Sequence, residues 1–161
     1  MKALLVIDIQ NDYFPDGRFP LEGAEEALGH ALSAIKMAKD TGAKIVSIQH
    51  LAPAGAPFFE EGTPGADLHP SIAAAVRGHA VVTKSEADSF LNTELGSVLK
   101  TAGVDQIEIV GMMTQHCVTH TALSPEAADL DVTILGEACA APTKALSALA
   151  LSGLKARFEV K

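Results

Sequence analysis

The chain predicts an α/β fold: a three-layer, doubly wound, mostly parallel six-stranded sheet with helices on both faces, of the Rossmann-like kind. Short apolar runs rich in Val and Ile alternate with longer segments whose apolar residues recur every three to four positions. The short runs are nearly continuous in apolar residues, as in parallel strands covered on both faces. Aromatic residues are scarce (4%, no Trp), so the core is built from Ala, Val, Leu and Ile. Alanine-rich helices on a β-branched sheet fit that supply.

The first strand is read over residues 3–8 (ALLVID). A loop with Pro15, Gly17, Pro20 and Gly23 follows. A helix spans 24–41, with Ala27, Leu28, Ala31, Leu32, Ile35 and Ala38 at helical spacing and Gly42 as its stop. The second strand is 44–50. The segment 51–65 holds Pro53, Pro57, Pro64 and three glycines, and a loop that long in a domain tends to be functional or disordered. A short helix is expected over 67–76, a third strand over 80–84, and a helix over 92–102 stopped by Gly103. The fourth strand, 106–110, leads into a helix over 115–128, which Pro125 should kink or restart. The fifth strand is 132–135, the last helix 144–152 and the last strand 156–160. Alternating βα units of this kind imply an open parallel sheet.

With 161 residues, the chain reads as a single domain, 1–161, able to bury one sizeable core. A net charge of −8 argues against nucleic-acid or anionic-membrane partners, which need clustered Lys and Arg. No apolar run approaches the ~18 residues of a membrane span, and a strand begins within three residues of the start, so a signal peptide is not expected. Cys117 and Cys139 do not form a disulfide framework for a domain of this size, and a reduced, cytoplasmic setting is the simpler reading.

Three chemically active residues fall at matching places. Asp8 ends the first strand, Lys84 ends the third, and Cys117 lies where the fourth strand turns into a helix. A parallel sheet gathers all three at the carboxyl ends of its strands, where such folds keep their ligand sites. A thiol at a helix N-terminus, near a lysine, is expected to favour the thiolate. Singly, each residue has a plainer reading: Asp8 a turn residue, Lys84 a solvated charge, Cys117 a small hydrophobe. Together, a carboxylate, a cation and a thiol can run acyl transfer, with Cys117 attacking a carbonyl carbon and Asp8 moving the protons. Cys139 has no comparable setting and reads as packing.

The blocks LLVIDIQNDYF, KSEADSFLNTEL and IVGMMTQHCVTHTA, in this order, resemble the isochorismatase-like cysteine hydrolases, a family that includes nicotinamidases and related amidohydrolases. The resemblance implies an Asp8, Lys84, Cys117 triad. It further implies a cis peptide between Met112 and Met113, with the N–H groups of Met113 and Cys117 forming an oxyanion hole. Relatives usually carry an uninterrupted helix where Ser124-Pro125 stands, and a Gly before strand five where this chain has Asp131. Their final helix and strand commonly build subunit contacts, so a homo-oligomer, dimer or tetramer, is expected.

The remaining polar and aromatic residues suggest how substrate is held. Gln49 and His50 end the second strand, and His116 precedes the nucleophile. Phe14, Phe19, Phe58 and Phe59 lie on the two long loops. Of these, Phe14, Gln49, His50, Phe58 and His116 are the expected contacts of a small-molecule substrate; polar strand ends and local loop anchors are the plainer readings. His116 and His120 have zinc-ligand spacing, but the Glu of a metalloprotease motif is absent. The Asp-x-His that nicotinamidases use for a metal is replaced by Gln49-His50, and His69 and His79 complete no ligand set. No metal and no cofactor are therefore expected. The leading activity is hydrolysis of a C–N bond in a small amide, ureido or carbamoyl compound. The alternatives are isochorismatase-type vinyl-ether hydrolysis, for which Gln49 would contact substrate, and a catalytically degenerate binding or scaffold member.

Overall fold

Successive side chains of β1 (Lys2–Ile7) point to opposite faces, and both faces are buried. In the computed structural model, which describes residues 1–161, Leu4 and Val6 enter one core while Ala3, Leu5 and Ile7 enter the other. The other strands are β2 (Lys44–His50), β3 (Ala80–Lys84), β4 (Gln106–Met112), β5 (Asp131–Ala140) and β6 (Glu159–Val160). Their order is β3-β2-β1-β4-β5-β6, and every pairing is parallel, so the sheet is wholly rather than mostly parallel.

Helix α1 (Ala24–Thr41) covers one face with Ala27, Leu28, Ala31, Ile35 and Ala38, and ends at Gly42 with φ 72°. Ile72 of α2 (Pro70–Ala75) joins the same core. The opposite face packs α3 (Leu95–Thr101), α4 (Thr119–Ala122) and the end of α5 (Lys144–Leu154) through Leu95, Leu99, Ala122 and Leu154. No helix is long and apolar enough to cross a membrane.

Several elements differ from their sequence-based bounds. The second helix starts only at Pro70, because the ring fixes the first helical position and the His69 imidazole accepts the Ser71 N–H just ahead of it. The third helix loses its first residues to a turn in which Asn92 takes φ 58°. Strand β5 runs five residues beyond the end of its apolar run, to Ala140, because a register shift between Ile109 and Gly111 lets Cys139 and Ala140 pair there. Strand β6 shrinks to two residues. The expected helix over 115–128 is three pieces: a π-turn (Thr114–Val118), α4, and a 3₁₀ turn (Pro125–Ala127) capped by Ser124. Pro125 does restart the chain, but the break precedes it at Leu123.

The chain moves outward from β1 to β2 and β3, then returns to β4 on the other side of β1. Strands β1 and β4 thus flank the switch point where the connections diverge, and a crevice forms at their carboxyl ends. Gly111 makes their close approach possible: its φ is 129°, and a Cβ there would overlap the Ile7 carbonyl next to Asp8. Gly111→Ala is expected to cost more than about 1 kcal/mol, because both conformation and space oppose the methyl group. Equilibrium urea unfolding measures this, and an unchanged midpoint would contradict it.

Candidate active site

At the end of β1 the backbone turns sharply. Asp8 adopts φ 51°, a left-handed conformation that Asp tolerates better than most residues, and its N–H donates to the Ile48 carbonyl (3.1 Å). Its side chain is fully buried. Lys84 ends β3, two strands away, beside His50 in the β2–β3 register. Its long side chain, also fully buried, crosses to Asp8. Cys117 sits in the π-turn after β4 and is 2% exposed. The three sequence-predicted groups therefore do converge.

Lys84 Nζ is the hub. It lies 2.8 Å from Asp8 Oδ2, 2.9 Å from the Glu86 carbonyl, 3.2 Å from Cys117 Sγ and 3.2 Å from His50 Nδ1. The Asp8 contact is an ion pair and not a well-directed hydrogen bond, so both carboxylate oxygens retain hydrogen-bonding capacity toward the site. Burial works to lower the Lys84 pKa, but Asp8 and Cys117 outweigh it and hold the ammonium above its ordinary value. His50 is driven the other way: burial and the Lys84 charge keep its imidazole below its usual range, hence neutral.

Cys117 departs from expectation. Burial and the neighbouring Asp8 push its thiol up, and Lys84 offsets only part of this. The expected helix N-terminus is a π-turn followed by a single helical turn, too short for a large dipole. The resting group is a thiol, poised beside a base. The turn is pinned by Thr119 Oγ1, which donates to the Thr114 carbonyl (2.7 Å), and by a Thr114–Ser147 hydroxyl bond to α5 (2.7 Å). Thr121 donates to Ser89 Oγ (2.8 Å) and accepts the Ser89 N–H, which ties the loop carrying the Glu86 carbonyl to the helix behind Cys117. The Met112–Met113 peptide is cis, and the Met113 N–H donates to no backbone carbonyl.

The loops over the crevice are organised by residues whose roles are not evident from sequence. Gln10, fully buried, donates to the carbonyls of His50 and Ala66 and accepts the His50 N–H. Asp12 accepts the Arg18 N–H through Oδ1 and the Phe59 N–H through Oδ2 (2.7 Å), joining the two long loops. Gly65 leaves room for that carboxylate, since a Cβ there would collide with it. The Asx-turn chemistry of Asn11 and Asp12 hints at loop anchoring, but Pro64, whose carbonyl accepts from Asn11, and Phe59 lie 53 and 47 residues away in sequence.

The expected substrate contacts separate into groups. Phe58 joins Tyr13, Phe19 and Phe59 in an aromatic cluster, with ring centroids 4.5–6.4 Å apart, and Phe59 also faces His50 at 5.9 Å. Phe14 instead packs on His69 (4.5 Å), where it lines a separate cleft with Pro64 and Pro70. Gln49 is also redirected: its Nε2 donates to the Ala66 carbonyl (2.9 Å), so it braces the loop. His116 is exposed at the rim, close enough for the charges of Lys84 and Asp8 to influence its titration. Tyr13, the lone tyrosine, is the residue that sequence reasoning missed. It is 1% exposed, and its pKa is raised by burial and by Asp8 and Cys117. Phe90 packs beneath the site, while Cys139 donates to the Leu135 carbonyl in the core with its thiol pushed up to about 12.

Asp8, His50 and Cys117 present donor atoms within 4.8 Å of one another, the spacing of a metal tripod. The set does not fit a metal ion, because the Lys84 ammonium lies 2.8–3.2 Å from all three and occupies the position a cation would take. His69 caps α2, and the His116 and His120 rings meet edge to face at 5.1 Å, so none of the three adds to the set.

Comparison with known proteins identifies the family. The family model described as "Isochorismatase domain" matches residues 2–160. An isochorismatase family protein of Bacillus subtilis is 35% identical, over 88% of this chain and 78% of its own. The nicotinamidase/pyrazinamidase of Mycobacterium tuberculosis is 32% identical, over 76% of this chain and 77% of its own. A streptothricin hydrolase of Streptomyces noursei is 36% identical over 76% of this chain, which spans 43% of that larger protein. The crystal structure of an isochorismatase-hydrolase homologue from Oleispira antarctica superposes with a TM-score of 0.92, at 34% identity, covering 99% of this chain and 91% of that one. From its sheet order, its sequence and its domain match, the chain belongs to the isochorismatase family.

Proposed function

We propose that this protein is a metal-independent cysteine hydrolase that cleaves a C–N bond of a small amide, ureido or carbamoyl compound through a thioester on Cys117. The observation that carries the reading is the buried convergence of Asp8, Lys84 and Cys117 about one ammonium. Relatives named for the hydrolysis of nicotinamide, pyrazinamide and streptothricin support an amide substrate.

The groups have complementary tasks. Cys117 Sγ attacks the carbonyl carbon as its proton passes to Asp8, whose carboxylate keeps hydrogen-bonding capacity free for it. The oxyanion is received by the Met113 N–H, free of backbone acceptors, together with the Cys117 N–H. Collapse breaks the C–N bond, and the departing nitrogen takes the proton from Asp8. Water then gives a proton to Asp8 and attacks the thioester, and Cys117 leaves as a thiolate that recovers its proton. Lys84 pairs with the carboxylate and faces the sulfur. Phe58, with Tyr13 and Phe59, forms an apolar wall for the acyl portion, and His50 and His116 supply polar contacts. The vinyl-ether alternative loses its main support, since the amide of Gln49 holds the Ala66 loop.

A panel of small amides scored by ammonia release tests the reading. On any substrate found, Cys117→Ala and Asp8→Asn are each expected to lower kcat by at least ~10³. Full turnover by Cys117→Ala would sink the thioester mechanism. Alkylation of Cys117 by iodoacetamide should follow an apparent pKa above the ~8.5 of a free thiol, because burial and Asp8 disfavour the thiolate. An acidic profile would contradict the resting-thiol reading. The chain is also read as a homo-oligomer, dimer or tetramer. Leu149 (71% exposed) and Leu123 (43% exposed) flank one groove beside α5, and burying such leucines favours association. Sedimentation should show more than one chain per particle, and Leu149→Glu should reduce it; a monomeric wild type would refute this reading.

A further inference from the structure

A lysine ammonium donates and never accepts, so a bond to it fixes the role of its partner. The three N–H hydrogens of Lys84 match three directed acceptors: the Glu86 carbonyl (2.9 Å), His50 Nδ1 (3.2 Å) and Cys117 Sγ (3.2 Å), while Asp8 is held by charge. Nδ1 of His50 therefore carries a lone pair and no proton. The imidazole is neutral, because burial and the Lys84 charge oppose its protonation. Its one proton sits on Nε2, and the ring presents an N–H directed away from the ammonium.

The ring is also fixed in place. Gln10 holds the backbone of His50 at both its N–H and its carbonyl (2.8 Å each), and the ring faces Phe59 with centroids 5.9 Å apart. A ring nitrogen of His50 lies within 4.8 Å of the reacting groups of Asp8 and Cys117, so an acyl group carried on Sγ sits beside this ring. His50 is half-buried, not sealed in the core. Its neighbour Gln49 donates to the Ala66 carbonyl, which leaves His50 as the polar side chain at the end of β2 that serves the site.

We propose that His50 is a specificity-determining residue whose Nε2–H donates to a second, uncharged hydrogen-bond acceptor on a planar acyl group, apart from the scissile carbonyl. The inference rests on the hydrolase reading above and adds the class of substrate it takes. The scissile carbonyl oxygen belongs to the Met113 and Cys117 N–H groups, so the acceptor for His50 is a different atom. Planarity follows from the aromatic wall of Tyr13, Phe58 and Phe59. A charged acyl group would meet no counter-charge of its own: Asp8 and Lys84 neutralise each other, and Arg18 on the first covering loop is engaged by Glu60 (2.9 Å).

The test compares benzaldehyde with the three pyridinecarbaldehydes, which share its size and differ from it by one ring nitrogen. An aldehyde has no leaving group. Sγ bonds to the carbonyl carbon, the thiol proton passes to the oxygen, and a reversible thiohemiacetal results. Binding is read as protection of Cys117 from iodoacetamide, with Cys139 resolved by peptide mass spectrometry. At least one pyridine isomer is expected to bind more tightly than benzaldehyde. His50→Leu should reduce that preference about tenfold, the difference between a made hydrogen bond and a donor left unpaired. Comparing the preference before and after substitution cancels the unequal electrophilicity of the aldehydes. His50→Gln keeps an N–H near the Nε2 position and should retain most of the preference. The proposal is overturned if no aldehyde binds, if wild type and His50→Leu discriminate equally, or if the Gln variant is as unselective as Leu. Because variants at a strand end can lose structure, a second measurement uses the wild type alone. Long-range ¹H–¹⁵N correlation should find the His50 proton on Nε2, and a proton on Nδ1 refutes the assignment. Neither readout needs an amide to be cleaved. Selective aldehyde binding with no amide turned over counts against the hydrolase reading only. Amide turnover with unselective aldehyde binding counts against His50 only.

Discussion

The buried ion pair of Asp8 and Lys84 is the constraint on which the rest of the site depends. Both side chains are removed from water, and their attraction in a low-dielectric interior must offset the loss of hydration. Such pairs seldom stabilise a fold better than well-packed apolar residues would, so this one is better understood through what it makes possible. It holds a carboxylate beside a sulfur without a shell of water. It also fixes the ammonium where a cation would otherwise bind. Much of the surrounding structure follows from holding it together: the left-handed turn at Asp8, the crossing of the lysine under the end of β2, and the loop that offers the Glu86 carbonyl.

A second layer of buried polar groups supports that pair. Gln10 and Asp12 satisfy backbone groups from segments 40 to 56 residues distant, closing the loops over the crevice. Each replaces hydrogen bonds to water with well-formed ones inside the protein, which is the condition for burying them at all. The aromatic cluster of Tyr13, Phe19, Phe58 and Phe59 then seals the same two loops by apolar contact. The outcome is a thiol that is nearly inaccessible at rest, with chemistry and shielding set by the same few residues.

Much of the fold was legible because parallel sheets write themselves plainly into sequence. Six apolar runs separated by helical periodicity require two buried faces, and the alternation of Leu4 and Val6 with Ala3, Leu5 and Ile7 divides them as that pattern demands. Element ends were less legible, since they depend on capping and on pairing with a neighbour. The register shift at Gly111 that extends β5 is a property of two strands together, and the break at Leu123 reflects local chemistry at Ser124-Pro125 combined with packing of the π-turn.

The sequence by itself determined the fold class and the three reactive side chains, because strand ends in an α/β sheet fall at one edge wherever the helices lead. Only the tertiary structure decided what those side chains experience. The thiol is not the ready thiolate that a helix N-terminus suggested, because burial and a carboxylate outweigh one lysine and a single helical turn. Gln49 became a brace and Phe14 a packing residue, while Tyr13 and His50 came to face the chemistry. These outcomes turn on distances of a few ångströms and on exclusion of water. Both are fixed by segments far apart along the chain, so no local pattern of residues encodes them.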